Sequence, residues 1–225
     1  IPVVLYKQQE FQHYMNSLFS FVSTRSLYLV LALLLLIFFL FISGLHPFDR
    51  GTWLMEVLPV MLVLPLLYFS YRTFPLSSLL YFFIFLHACV LIIGGTYTYA
   101  RVPLGFSIQE YFELTRNPYD KIGHFMQGLV PALAAREIFI RRKWVKPGWV
   151  QAFLVICVVL AVSASYELIE WAAAMALGQG AEDFLGTQGD IWDTQEDMLW
   201  ALIGAMCCLL FLSRWQDRQI QHLLK

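Results

Sequence analysis

Charge is the first scarcity in this sequence. Only 14% of its 225 residues are Asp, Glu, Lys or Arg, against about 25% in an ordinary soluble domain. By contrast, 59% are hydrophobic and 16% aromatic, and the mean hydropathy of +0.64 is too high for one globular core. That balance excludes a disordered regulator and a nucleic-acid binder. A net charge of −1 gives no general pull toward phosphate backbones or acidic lipid. Cysteine is also scarce. Cys89, Cys157, Cys207 and Cys208 lie in apolar runs without C-x-x-C spacing, so they read as packing residues, and a secreted disulfide scaffold is excluded. A G-x-S-x-G elbow, a Walker A loop and an H-E-x-x-H helix are all missing, as are an internal repeat and a low-complexity segment. Residues 1–25 carry Lys7, Glu10, His13 and Arg25 among scattered aromatics, without the basic–apolar–cleavage pattern of a signal peptide.

Long apolar runs dominate what is present. Residues 27–45 contain no charge and suffice to cross a bilayer. Residues 52–70 contain Pro59 and Pro65, which predict a kink, and 76–95 end in Gly94-Gly95. Further runs cover 120–140, 148–177 and 195–213, the fourth span ending before Arg141-Arg142-Lys143 and the sixth at Arg214. The polar, aromatic stretch 96–118 is expected at the interface. Trp53, Trp144, Trp149, Trp171, Trp192 and Trp215 fall near the proposed ends, as an interfacial belt requires. The expected fold is therefore all-α: a polytopic membrane helix bundle of about six transmembrane helices, with residues 1–225 forming a single integral membrane domain. Six spans put both termini on one side. That side receives eleven basic and three acidic residues, and the other receives four basic and thirteen acidic. The positive-inside rule makes the termini cytoplasmic and the outer face acidic.

A carboxylate at the centre of a span costs roughly 2.5–3.5 kcal/mol on insertion scales, so the ionisable residues near span ends carry the information. Asp120 and His124 are i,i+4 and share a helical face, which Gln127 extends. Glu167 and Glu170 are i,i+3 near the end of the fifth span, and Asp190, Asp193 and Asp197 flank the start of the sixth. The topology brings these segments to the outer third of the membrane. Imidazole and carboxylates together can hold a divalent cation, with His124, Glu167 and Asp193 as expected ligands, or move protons between a His and an acid. Structural readings stand beside this one. Asp193 with Glu196 fits a capping box, Asp120 fits a helix start, and Glu170 next to Trp171 fits solvation at headgroup level. Glu110, Glu113, Glu182 and Asp183 read as solvated loop charges, and His87 as a packing histidine. Ala201, Gly204 and Ala205 read as a small-residue packing strip. Ser163 and Ser165 have no His beside them in sequence.

At these residues the chain resembles the YjdF-like family of bacterial inner-membrane proteins. The matching segments are Gly95-Thr96-Tyr97-Thr98-Tyr99-Ala100, Tyr119 to Phe125, Tyr166 to Trp171, and the run from Phe184 to Met198. More weakly, Asp120-Lys121 with His124-Phe125 resembles VanZ-like membrane proteins of the cell envelope, although Asp193 to Asp197 lacks the Asn of that pattern. The resemblance implies an inner-membrane location and carries no activity over. Three readings arise from the residues. The first is an outward-facing pocket for a divalent cation and a lipid or cell-envelope headgroup, with metal-assisted hydrolysis or transfer within its chemical reach. A small ion- or proton-coupled transporter is the second. The third is a structural or accessory membrane protein whose polar cluster only packs helices. The inner halves of spans four to six offer chiefly Gln151, Arg136 and Glu137, which favours a one-sided pocket over a path.

Overall fold

The computed structural model describes residues 24–177 and 187–224, and every regular element among them is helical. The helices are α1 (Thr24–Leu45), α2 (Arg50–Ser70), α3 (Ser78–Tyr97), α4 (Pro103–Tyr111), α5 (Tyr119–Arg141) and α6 (Trp149–Leu177). The seventh, α7, begins as Asp193–Cys207, passes through a π-helical stretch Cys208–Leu212 and ends as Ser213–Leu223. The chain divides into two units, Ile1–Phe38 and Phe39–Lys225. The first contains most of α1, whose Leu27, Tyr28, Val30, Leu31 and Leu34 are exposed. The second contains the end of α1 and all of α2 to α7.

Local chemistry explains the helix starts. The Asp49 carboxylate accepts from Thr52 N at 2.7 Å and caps α2, satisfying one of the free N–H groups of a first turn. That hydrogen bond, the largest of several influences, holds the Asp49 carboxyl below its usual range. Ser77 caps α3 through Leu80 N. Pro59 and Pro65 are accommodated within α2, and Pro131 within α5. Two expected caps differ in detail. Asp120 lies in the first turn of α5, where the helix dipole favours it, but Pro118 holds the N-cap position and Asn117 Oδ1 accepts from Tyr119 N at 3.0 Å. Trp192 precedes α7 without a side-chain cap, because the Asp193 carboxylate is engaged by Arg116.

Five helices are long and apolar enough to cross a membrane: α1, α2, α3, α6 and α7. The remaining long helix, α5, has 23 residues but carries Asp120, Lys121, Arg136, Glu137 and Arg141. It lies against α7, α6 and α3, and α2 packs on α3. The expected boundaries shift by at most three residues, apart from two larger differences. The stretch 96–118 contains the helix α4, and α7 runs past Arg214 to Leu223. Outward faces are apolar, with Leu62, Leu66 and Phe69 on α2, Phe153 on α6 and Phe211 on α7 exposed. Such continuous apolar surface fits contact with lipid.

Small residues bring α5 and α7 together. A Cβ on Gly128 would overlap the Ala201 carbonyl, and one on Gly204 would overlap the Phe125 carbonyl. Ala201 and Ala205 are fully buried, so the strip read from the sequence is a packing surface. Both helices run away from the same end of the bundle. Four residues before Gly128 and Ala201, the same register sets His124 against Asp197. The opposite end is held by polar pairs. Glu137, fully buried, accepts from Ser77 N at 2.9 Å and Arg141 Nη1 at 3.0 Å. Arg136 donates to Gln216 Oε1 at 3.0 Å and Asp217 Oδ1 at 2.7 Å. Leu79 N donates to Gln219 Oε1 at 2.8 Å.

Candidate functional site

His124 is the centre of the polar cluster, one and a half turns into α5. Its Nε2 lies 3.3 Å from Asp120 Oδ1 and 3.6 Å from Asp197 Oδ2. Its Nδ1 lies 3.0 Å from Gln127 Oε1 and 3.9 Å from Glu167 Oε1. The i,i+4 spacing of Asp120 and His124 puts both on one face of α5, and the close α5–α7 contact supplies Asp197. With Nδ1–H donated to Gln127 Oε1, the Nε2 lone pair faces the two aspartates, an orientation that suits a metal-ligating imidazole. One ligand atom each from Asp120, His124 and Asp197 lies within 4.8 Å of the others. Zinc ligands at about 2.0–2.2 Å and tetrahedral angles stand roughly 3.3–3.6 Å apart, and both His124 separations fall in that interval. Mixed imidazole and carboxylate donors suit zinc or manganese better than calcium, which takes an all-oxygen shell.

Two carboxylate oxygens are left over. Asp197 Oδ1 and Glu167 Oε1 are buried with no hydrogen-bond partner among the described residues, and Asp197 is only 2% exposed. A buried, unpartnered carboxylate oxygen is expensive, and a cation would remove that cost.

The other sequence-derived site residues divide between two places. Asp190 and Asp193 do not join His124. They meet Arg116, which also binds Glu196: Arg116 Nη2 lies 3.1 Å from Asp190 and 2.8 Å from Glu196, and its Nη1 contacts Asp193. Partial burial opposes the Arg116 charge, but the hydrogen bonds it donates to Asp193 and Glu196 prevail and raise its pKa. Lys121 Nζ reaches Glu196 at 2.6 Å. The expected ligand set His124, Glu167 and Asp193 is therefore regrouped around Asp120, His124 and Asp197, with Glu167 beside it. Glu170 is 8% exposed rather than solvated and faces a cavity together with Asp120 and His124. Glu182 and Asp183 lie outside the described residues.

Sequence reasoning missed three participants. Glu56, on α2, is 3% exposed and accepts from Tyr166 Oη at 3.3 Å. Its signal was available, because it is the one charged residue in the run 52–70. Tyr99 packs against Gly94 and Gly123, glycines that leave room for its ring. Arg116 organises the acidic entrance to α7 from a loop that a second pairing fixes: Asn117 N donates to Gln188 Oε1 and Gln188 Nε2 to Asn117 O, each at 3.0 Å. His87, expected as a packing residue, lines the cavity with its Nε2 buried and unpartnered.

Comparison with known proteins agrees with this architecture. A family model described as "Predicted membrane protein (DUF2238)" matches residues 28–218. The chain is 59% identical over 180 residues to the inner membrane protein YjdF of Escherichia coli (strain K12), a span covering 80% of this chain and 86% of that protein. No solved structure matches.

Proposed function

The chain belongs to the DUF2238 family of predicted membrane proteins, and from that premise we propose a multi-pass protein of the bacterial inner membrane whose outward-facing polar cluster binds a divalent cation. In this reading α5 also crosses the membrane, as the fourth of six spans, and residues 1–225 make a single integral membrane domain. Both termini are cytoplasmic, on the side with eleven of the fifteen basic residues. Asp120, His124 and Asp197 are the ligands, and Glu167 either completes the shell or orients it. One observation carries the reading: three donor atoms within 4.8 Å of one another, next to two buried carboxylate oxygens that lack a partner.

A one-sided site is favoured over a transport path, because the carboxylates at the opposite end are engaged by Ser77 N, Arg141 and Arg136. The test is the metal content of detergent-purified protein, wild type against Asp197→Asn. Manganese or zinc near one equivalent in the wild type, lost in the variant, supports the site. Equal content in both proteins, or none in either, leaves the cluster as helix packing.

A further inference from the structure

A cavity of about 310 Å³ lies among α2, α3, α5 and α6, at the small end of the range for sites that take small organic ligands. Its body is apolar, from Val63 and Leu64 on α2, Ile84 and Leu91 on α3, and Val130 on α5. One end carries Glu56, Asp120, His124, Tyr166 and Glu170, and among the described residues the wall includes neither Lys nor Arg. Glu56 and Glu170 are both buried, and neither belongs to the cation triad. Gly95 approaches the Glu56 side chain. His87 lies eight residues earlier on α3, or about 12 Å deeper at 1.5 Å per residue. There its ring lines the apolar chamber, and its Nε2 is buried without a hydrogen-bond partner among the described residues.

We propose that this cavity is a binding site for a small amphiphilic amine, its ammonium held by Glu56 and Glu170 and its apolar body lying along α2, α3 and α5. A primary ammonium has three N–H donors and no acceptor, which matches an end rich in carboxylate oxygens. With the divalent cation removed, a phosphate or carboxylate head would meet like charge, because the described wall holds neither Lys nor Arg. An alcohol would leave the buried carboxylates uncompensated. The apolar wall makes the chain part of the ligand rather than a passenger.

The amine site requires the membrane placement above but not the cation, and EDTA throughout the test separates the two. The full chain in detergent is titrated with n-decylamine, n-decanol and decyl phosphate and followed by native mass spectrometry. One decylamine binds saturably to the wild type, and the alcohol and phosphate bind at least ~tenfold more weakly, the usual scale for losing a charge-assisted pair. Glu56→Gln and Glu170→Gln each weaken decylamine by ~tenfold or more. Ala88→Leu, which fills the wall without touching a carboxylate, abolishes binding of all three. Should a Gln variant fail to purify as a folded protein, the headgroup series on the wild type and the Ala88→Leu variant decide the matter. Decanol binding as tightly as decylamine, tighter binding of decyl phosphate, or wild-type affinity in Ala88→Leu overturns the proposal.

Discussion

Replacing Asp197 by Asn tests the cation site with the least disturbance to packing, since the side chain keeps its shape. Asp197 is buried, 3.6 Å from His124 Nε2, with Oδ1 unpartnered. At a free cation concentration of 100 times Kd, binding stabilises the wild type by about 2.7 kcal/mol. For a chain of this size each kcal/mol moves Tm by about 2–4 °C, so the shift on adding cation is roughly 5–11 °C. Even loss of an outer-shell partner costs 10–100-fold in affinity, and a ligand costs no less. At ~100-fold weaker affinity the same cation concentration only equals Kd, which leaves about 0.4 kcal/mol and a shift near 1 °C. Without cation the sign reverses: the variant is at least as stable as the wild type, because one of several crowded carboxylates has become neutral. The assay is thermal unfolding in detergent with manganese, zinc or EDTA. A wild type indifferent to all three, or a variant with the full shift, refutes the ligand assignment.

Arg116→Ala leaves Asp190, Asp193 and Glu196 facing one another; unfolding in detergent is expected to register a loss of about 3 kcal/mol, and Arg116→Lys to recover only part of it because the bidentate fork is gone. An unchanged Tm in Arg116→Ala would show those contacts to be idle. Gly128→Ala pushes a methyl into the Ala201 carbonyl and is expected to cost about 1–3 kcal/mol and to shrink the cation-dependent Tm shift, since the same register holds Asp197 against His124. A silent Gly128→Ala would refute the close α5–α7 approach. Asp49→Ala removes the α2 cap for about 1 kcal/mol at neutral pH. The folded pKa of Asp49 is depressed, so its contribution is present above the unfolded value of about 4 and is lost as pH falls through the folded one. A difference from the wild type that persists at pH 2 would point to some other cause.

Helices were legible wherever long apolar runs occur, as at 27–45, 52–70 and 148–177. α5 was readable despite its charges, because Asp120, His124 and Gln127 repeat at helical spacing. α4 was hidden inside a polar stretch too short and too mixed to show a period. The run past Arg214 was hidden because Gln216, Asp217 and Gln219 hold that segment to α3 and α5 through contacts 80 to 140 residues away in sequence. The same limit applies at the site. Segments sharing a depth in the bilayer were predictable from topology, and His124, Asp120, Glu167 and Asp197 do come together. Which aspartate turns toward His124 depended on Arg116, whose partners lie more than 70 residues away, and no periodicity encodes that pairing.

The two polar ends of the bundle are built on opposite principles, and the contrast supports the proposed site. At one end Glu137 meets Ser77 N and Arg141. Asp217 there meets Arg136, and the Arg141 guanidinium lies 3.7 Å from the centre of the Phe74 ring. Opposite charges are matched there, as a structural clamp requires. At the other end Arg116 and Lys121 are consumed by Asp190, Asp193 and Glu196. Glu56, Asp120, Glu167, Glu170 and Asp197 are left with one imidazole and neutral phenol, amide and threonine hydroxyl groups among the described residues. Five acidic groups against one histidine cannot all be ionised in a low-dielectric interior without a further positive charge. Either several of them keep their protons or cations occupy the cluster and the cavity beside it. A structural polar core would be expected to balance its charges within the chain, as the opposite end does. The imbalance at this end is what a site for positively charged ligands requires.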